Sequence, residues 1–115
     1  MGLNDEGQCG IGKNPKKQLE PKTLMQDNEI TGIYCGSKFS FIVKSKNKKS
    51  FLVFFFFFTN FFKKTENSLI GFGSNKWGQL MVDNMENIYS PKIVREEIRI
   101  SSMACGEGHT LILTR

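Results

Sequence analysis

The chain predicts an all-β fold built from repeated, blade-sized units, a partial β-propeller. Three observations carry that reading. The sequence repeats itself once, and the repeat period fits one propeller blade when an unmatched segment is set aside. No stretch of ten or more residues shows a clean 3.6-residue apolar period, so little or no helix is expected.

The repeat is legible in four landmarks that recur in one order. GLNDEGQCG (Gly2–Gly10) matches GSNKWGQLM (Gly73–Met81): each has Gly, Asn two residues later, then Gly-Gln three residues beyond. Pro21-Lys22 matches Pro91-Lys92. ITGIYCGSKFSFIVK (Ile30–Lys44) matches IRISSMACGEGHTLILT (Ile98–Thr114), each an apolar strand, a Cys-Gly, a short polar link and a second apolar strand. The offset is 71 residues at Gly2/Gly73 and 70 at Cys35/Cys105, one register with a single-residue gap.

Within each unit, short strands and tight turns are expected. Ile98, Ile100, Met103, Leu111 and Leu113 are apolar residues at short intervals with turn residues between them. Gly36 and Gly106 open the links that join paired strands, where a hairpin needs positive-φ positions. Gly2, Gly7 and Gly10 punctuate a loop where a side chain would obstruct close backbone approach. Ser68–Phe72 reads as the first strand of the second unit.

The unmatched segment is Ser45–Lys64, which contains FLVFFFFFTNFF (Phe51–Phe62) and eight of the eleven phenylalanines. Joining Lys44 to Thr65 gives an unbroken strand–turn–strand, and the period falls from about 70 to about 50 residues, within the range of one blade. The expected organisation is therefore a first repeat at 1–44, an insertion at 45–64 and a second repeat at 65–115. Twelve residues are too few for a bilayer helix, which needs about twenty apolar positions. A core strand here would have no sister in the first unit. Asparagine, lysine and phenylalanine all have A/T-only codons, so the segment reads as non-coding DNA translated in frame, a retained intron. Expressed, it is an aggregation hazard: apolar, strand-prone and without proline.

The formal net charge of +5 comes from this segment, which holds five of the sixteen basic residues and no acidic one. The rest of the chain balances eleven basic against eleven acidic residues, so it offers no basic stripe for nucleic acid. Neither nucleic acid nor membrane is expected as a partner, despite Phe51–Phe62. Three widely spaced cysteines (Cys9, Cys35 and Cys105) and a single histidine offer no zinc spacing. Reduced, mostly buried thiols and a polar N-terminal stretch without a signal peptide fit an intracellular protein, cytoplasmic or nuclear.

These residues resemble the regulator of chromosome condensation repeat family. Its signature runs aromatic-Gly-x-Asn-x-x-Gly-Gln-Leu-Gly, then Pro, an apolar strand, Cys/Ala-Gly and Gly-His-(Ser/Thr)-Leu-x-Leu. Phe72–Leu80 carries the first part and Ala104–Leu113 the second. Met81 stands where the signature has its last Gly, Cys9 where it has Leu, and Ser37-Lys38-Phe39-Ser40 where it has Gly-x-His-Thr. The resemblance implies a seven-bladed propeller of four-stranded antiparallel blades. One copy of this chain, with two repeats, supplies only part of such a ring, with open faces and edges, and reads as a fragment of a larger protein.

On that reading Gly2, Asn4, Gly7, Gln8, Gly10, Gly36, Gly73, Asn75, Gly78, Gln79, Gly106 and His109 are structural motif residues. His109 is the sister of Phe39, and a group replaced by Phe in its own repeat is a packing residue before it is a catalytic base. Trp77, opposite Glu6 in the sister unit, is either a surface contact for a partner or a plug between blades. No catalytic residue, cofactor site or metal site is expected, and the chain is read as not an enzyme. The family implies a binding platform for protein partners. One form of it is guanine nucleotide exchange on a Ran-type small GTPase, which displaces nucleotide through protein contacts without a catalytic triad. The alternative is a scaffolding or substrate-recruiting propeller in a larger protein such as a ubiquitin ligase or membrane-traffic regulator, or a gene fragment that does nothing alone.

Overall fold

The computed structural model describes residues 1–46 and 66–115, and the Phe-rich stretch Phe51–Phe62 lies outside the described residues. Eight strands and no helix make up the described chain. They are β1 (Gly2–Leu3), β2 (Lys17–Gln18), β3 (Ile30–Cys35), β4 (Phe39–Lys46), β5 (Glu66–Gly73), β6 (Ile88–Ile98), β7 (Ile100–Cys105) and β8 (Thr110–Thr114).

The central sheet is antiparallel in the order β3-β4-β5-β6, flanked by the two-stranded sheets β1-β2 and β7-β8. The four-stranded blade is thus shared: β3 and β4 come from the first sequence repeat, β5 and β6 from the second. Repeat equivalence explains the smaller sheets. Gly2 pairs with Gln18 as Gly73 pairs with Ile88, so β1-β2 corresponds to the loop end of β5-β6, where β5 finishes and β6 begins. Cys105 pairs with Thr110 as Cys35 pairs with Ser40, and the same register shift follows Ile100 and Ile30. The described residues form a half-blade, a whole blade and a second half-blade.

Across the Phe-rich segment, β4 and β5 pair without a break from Phe39↔Gly73 to Lys46↔Glu66. The pairing runs to Lys46, two residues past Lys44. β5 is the strand buried on both faces, from Asn67 to Gly73, as the middle of a stacked blade requires. Its alternation sorts the core. Phe39, Phe41, Val43 and Leu69 face β7-β8 and pack with Leu80 of the β5–β6 loop, Val94 of β6, and Ile100 and Met103 of β7. Ile42, Ile70 and Phe72 face the other way, where Leu24, Met25 and Ile30 cover them. Phe39 and Phe41 meet edge-to-face at 5.9 Å, an arrangement worth about 0.5–1.5 kcal/mol beyond their burial.

β6 was not foreseen as a strand. Its eleven residues hold Pro91 and a charged run, and only Val94 is buried. Proline and charge are tolerated because β6 is the edge of the blade, where one row of backbone groups needs no strand partner. The thiols also depart from expectation. All three cysteines are free, but Cys35 is exposed and Cys9 and Cys105 are only half-buried. Thr31, Ile33 and Cys35 form the outward face of β3, which nothing in the described chain covers.

Candidate interaction face at the signature loops

Antiparallel connectivity sends four loops to one end of the sheets: 4–16 between β1 and β2, 36–38 between β3 and β4, 74–87 between β5 and β6, and 106–109 between β7 and β8. The motif residues named from the sequence all collect at that end, and the chain on either side of the Phe-rich segment leaves from the opposite one. Each signature loop is built around a buried asparagine.

In the first loop, the Asn4 amide donates to the carbonyls of Gly12 and Pro15, both at 2.9 Å, and its oxygen accepts from Cys9 N–H at 3.0 Å. In the second, the Asn75 amide donates to the Asn84 carbonyl and its oxygen accepts from Leu80 N–H at 3.0 Å. Gly7 and Gly78 donate backbone N–H to the Asn4 and Asn75 carbonyls. Gln8 and Gln79 receive the N–H of Glu6 and Trp77 on their side-chain oxygens, each at 2.9 Å. An Asn oxygen and a Gln oxygen thus satisfy turn amides that no strand reaches.

The backbone repeats too. Gly2 and Gly73 have φ of 113° and 107°, and Gly7 and Gly78 have 87° and 75°. Gly73 needs more than its φ, because a Cβ there would sit 2.5 Å from the Lys38 carbonyl oxygen. Gly10 has φ of 68°, and its counterpart Met81 keeps the same left-handed conformation at 58°. The departure from the signature at Met81 therefore leaves the turn intact, at a conformational cost of about 1–2 kcal/mol for a residue with a Cβ.

The later hairpins latch onto these loops. The Ser40 hydroxyl donates to the Gln8 carbonyl at 3.4 Å, and the Thr110 hydroxyl to the Gln79 carbonyl at 2.9 Å. Gly36 and Gly106 each donate N–H across the turn, to the carbonyls of Phe39 and His109, at 2.9 Å. A Cβ on Gly36 would fall 2.2 Å from the Phe39 ring, and one on Gly106 2.2 Å from the His109 ring. His109 and Phe39 thus cover the same glycine in each repeat. Phe39 is buried by the neighbouring blade, whereas His109 stays exposed.

Two features were not legible beforehand. Asn87 bridges the loops, accepting the Asn75 N–H at 3.1 Å and donating to the Glu6 carboxylate. Lys38 pairs with Asp5 at 3.4 Å and approaches Glu6 at 3.9 Å. The Gln8 amide, with Lys38 adding to it, holds the Asp5 carboxyl below its ordinary value. The only available signal was Asn and Asp scattered in loops, which identifies turns but not the partners they choose.

Trp77 lies where the first repeat has Glu6. It is 69% exposed, with its indole edge against the backbone of Gly108 and the Lys76 ammonium 5.1 Å from the ring centre. No nucleophile is hydrogen-bonded to a base here, and among the described residues no three His, Cys, Asp or Glu side chains gather as a metal site. Burial pushes the Cys105 thiol up, away from the reactive thiolate. What the end offers is a hydrogen-bonded loop surface with one large aromatic, Lys76 and Glu107 exposed.

A stack of blades that share strands across sequence repeats, with asparagine-clasped loops on one face, defines a propeller-repeat protein. The family model for the regulator of chromosome condensation (RCC1) repeat matches residues 1–43 and 66–113, and the chain belongs to that family. It is similar to human "Probable E3 ubiquitin-protein ligase HERC4", 26% identical over 99% of this chain and 9% of that protein. It is also similar to human "X-linked retinitis pigmentosa GTPase regulator", 28% identical over 90% of this chain and 8% of that protein. A third relative, the "RCC1 repeat-containing protein C10F6.04" of Schizosaccharomyces pombe, is 44% identical over 39% of this chain and 13% of its own length. The chain thus spans about a tenth of the length of these relatives. Among the described residues, no helix is long and apolar enough to cross a membrane.

Proposed function

We propose that this chain is a protein-interaction module whose loop face engages a small GTPase of the Ran type, acting as an exchange factor and not as a bond-making enzyme. The exposed Trp77, presented by a hydrogen-bonded loop, carries the reading. Its backbone N–H is tied to Gln79 and its indole edge lies beside Gly108, so the loop that presents it is ordered before binding. A relative named as a GTPase regulator supports the choice of partner. Exchange of this kind opens the nucleotide site by protein contacts, so it needs no acid, base or metal on this chain. We place the activity inside the cell, in cytoplasm or nucleus, because the three thiols are free. Release of fluorescent GDP from a Ran-type GTPase should accelerate with this chain and return to the intrinsic rate with Trp77→Ala. Release unchanged by the wild-type chain overturns the reading.

A second reading, a scaffolding or substrate-recruiting module of a ubiquitin ligase, draws on the similarity to HERC4 along nearly the whole chain. It predicts stable binding of a protein substrate, lost with Trp77→Ala, and no effect on nucleotide release.

A further inference from the structure

We propose that the two open ends of the chain are complementary and that copies of it dock head to tail, the Leu111/Leu113 face of one copy against the Ile33 face of the next. The chain's own blade contact shows the geometry. On β4, Phe41 and Val43 are 0% and 5% exposed because Ile100 and Met103 of β7 stack on them. The equivalents of Phe41 and Val43, seventy residues on, are Leu111 and Leu113 of β8, and these are 66% and 61% exposed. The equivalent of Met103, seventy residues back, is Ile33 of β3, and it is 68% exposed. One end therefore presents the lower half of a blade contact and the other presents its upper half. The relation that carries the first repeat onto the second, applied once more, carries β3-β4 of a second copy onto β8.

Backbone groups point to the same docking. β4 receives β5 along its whole length, and Lys38 C=O accepts the Ser74 N–H at 2.8 Å just beyond Gly73. The matching edge of β8 has no strand beside it among the described residues. In the repeated arrangement, His109 faces Gly2 of the next copy, as Phe39 faces Gly73 within the chain. Gly108 C=O then accepts the Leu3 N–H of that copy. The strand match is short, so the apolar faces supply most of the contact. Because the two surfaces differ, the contact is heterologous, and it propagates until the ring closes or the copies run out.

Sedimentation of the full chain over a concentration series tests this. The weight-average mass is expected to rise above the 13.1 kDa of one copy. Ile33→Asp or Leu111→Asp should each hold the chain at one copy, with unchanged far-ultraviolet circular dichroism because both side chains are exposed. An equimolar mixture of the two variants retains one intact pair of faces, so it should form dimers and nothing larger. That complementation also shows that both variants are folded. A wild-type chain that stays at one copy at every concentration overturns the proposal, and something other than a second copy then covers these faces. Association that neither substitution weakens also overturns it, as expected if the Phe-rich segment drives it. So does a mixture that stays monomeric.

Discussion

Replacing Asn75 by alanine removes the clasp of the second signature loop. Asn75 and Leu80 are both fully buried, so the Leu80 N–H loses its acceptor where water cannot replace it. An unsatisfied buried donor costs about 1–3 kcal/mol. The Asn84 carbonyl sits on an exposed residue and can turn to water, so its lost bond costs about 0.5–1.5 kcal/mol. The expected loss is about 2–4 kcal/mol, a large part of the ~5–15 kcal/mol that holds a typical domain. At this chain length it lowers the melting temperature by roughly 10 °C. Trp77 is the only tryptophan and lies in the same loop, so its fluorescence in urea reads the loop while circular dichroism reads the strands. Asn75→Asp keeps the acceptor and loses the donor, and should fall between wild type and Asn75→Ala. A loss for Asn75→Ala below about 0.5 kcal/mol, the size of an ordinary surface change, would refute the claim that this side chain holds the loop.

Other predictions follow from single positions. Gly73→Ala should be more damaging than Gly2→Ala by at least ~2 kcal/mol in urea denaturation. Both have φ above 100°, but only at Gly73 does the new Cβ strike backbone. Met81→Gly should change stability by less than about 1 kcal/mol, because relief of the left-handed conformation is offset by chain entropy and lost packing. Asp27 is held below its ordinary value of 3.8, first by Lys44 and then by the Glu29 N–H. A depressed carboxyl contributes stability that is present above its unfolded value and lost as pH falls through the folded one. Asp5 behaves likewise, so acid titration below pH 3.8 should destabilise wild type more steeply than the Asp5→Asn/Asp27→Asn double variant.

Much of this architecture is legible in one sequence because repeats make each residue a control for its sister. Gly-x-Asn-x-x-Gly-Gln marks both clasps, and the Gly36 and Gly106 turns lie between paired strands as expected. Neither glycine has the positive φ expected of it: each is needed because a ring, Phe39 or His109, lies over it. The blade boundary was not legible. β5 begins the second repeat by similarity, yet it hydrogen-bonds to β4 of the first, and sequence similarity does not record which strand a strand pairs with. β6 was hidden because an edge strand keeps so few buried residues that no period-2 pattern survives. The exposure of Cys35 was hidden for a related reason: burial at that position depends on a neighbouring sheet, and local composition carries no trace of it.

β4 and β5, separated by residues 47–65, form the middle of one blade. Joining Lys46 to Glu66 through Asn-Gly tests it directly, since those residues are opposite partners and a two-residue turn suits such a pair. Shortening the connection from nineteen residues to two should leave β-sheet circular dichroism intact. Chain-entropy scaling raises the unfolding free energy by about 2 kcal/mol. A shortened chain that loses its cooperative unfolding transition contradicts the shared blade.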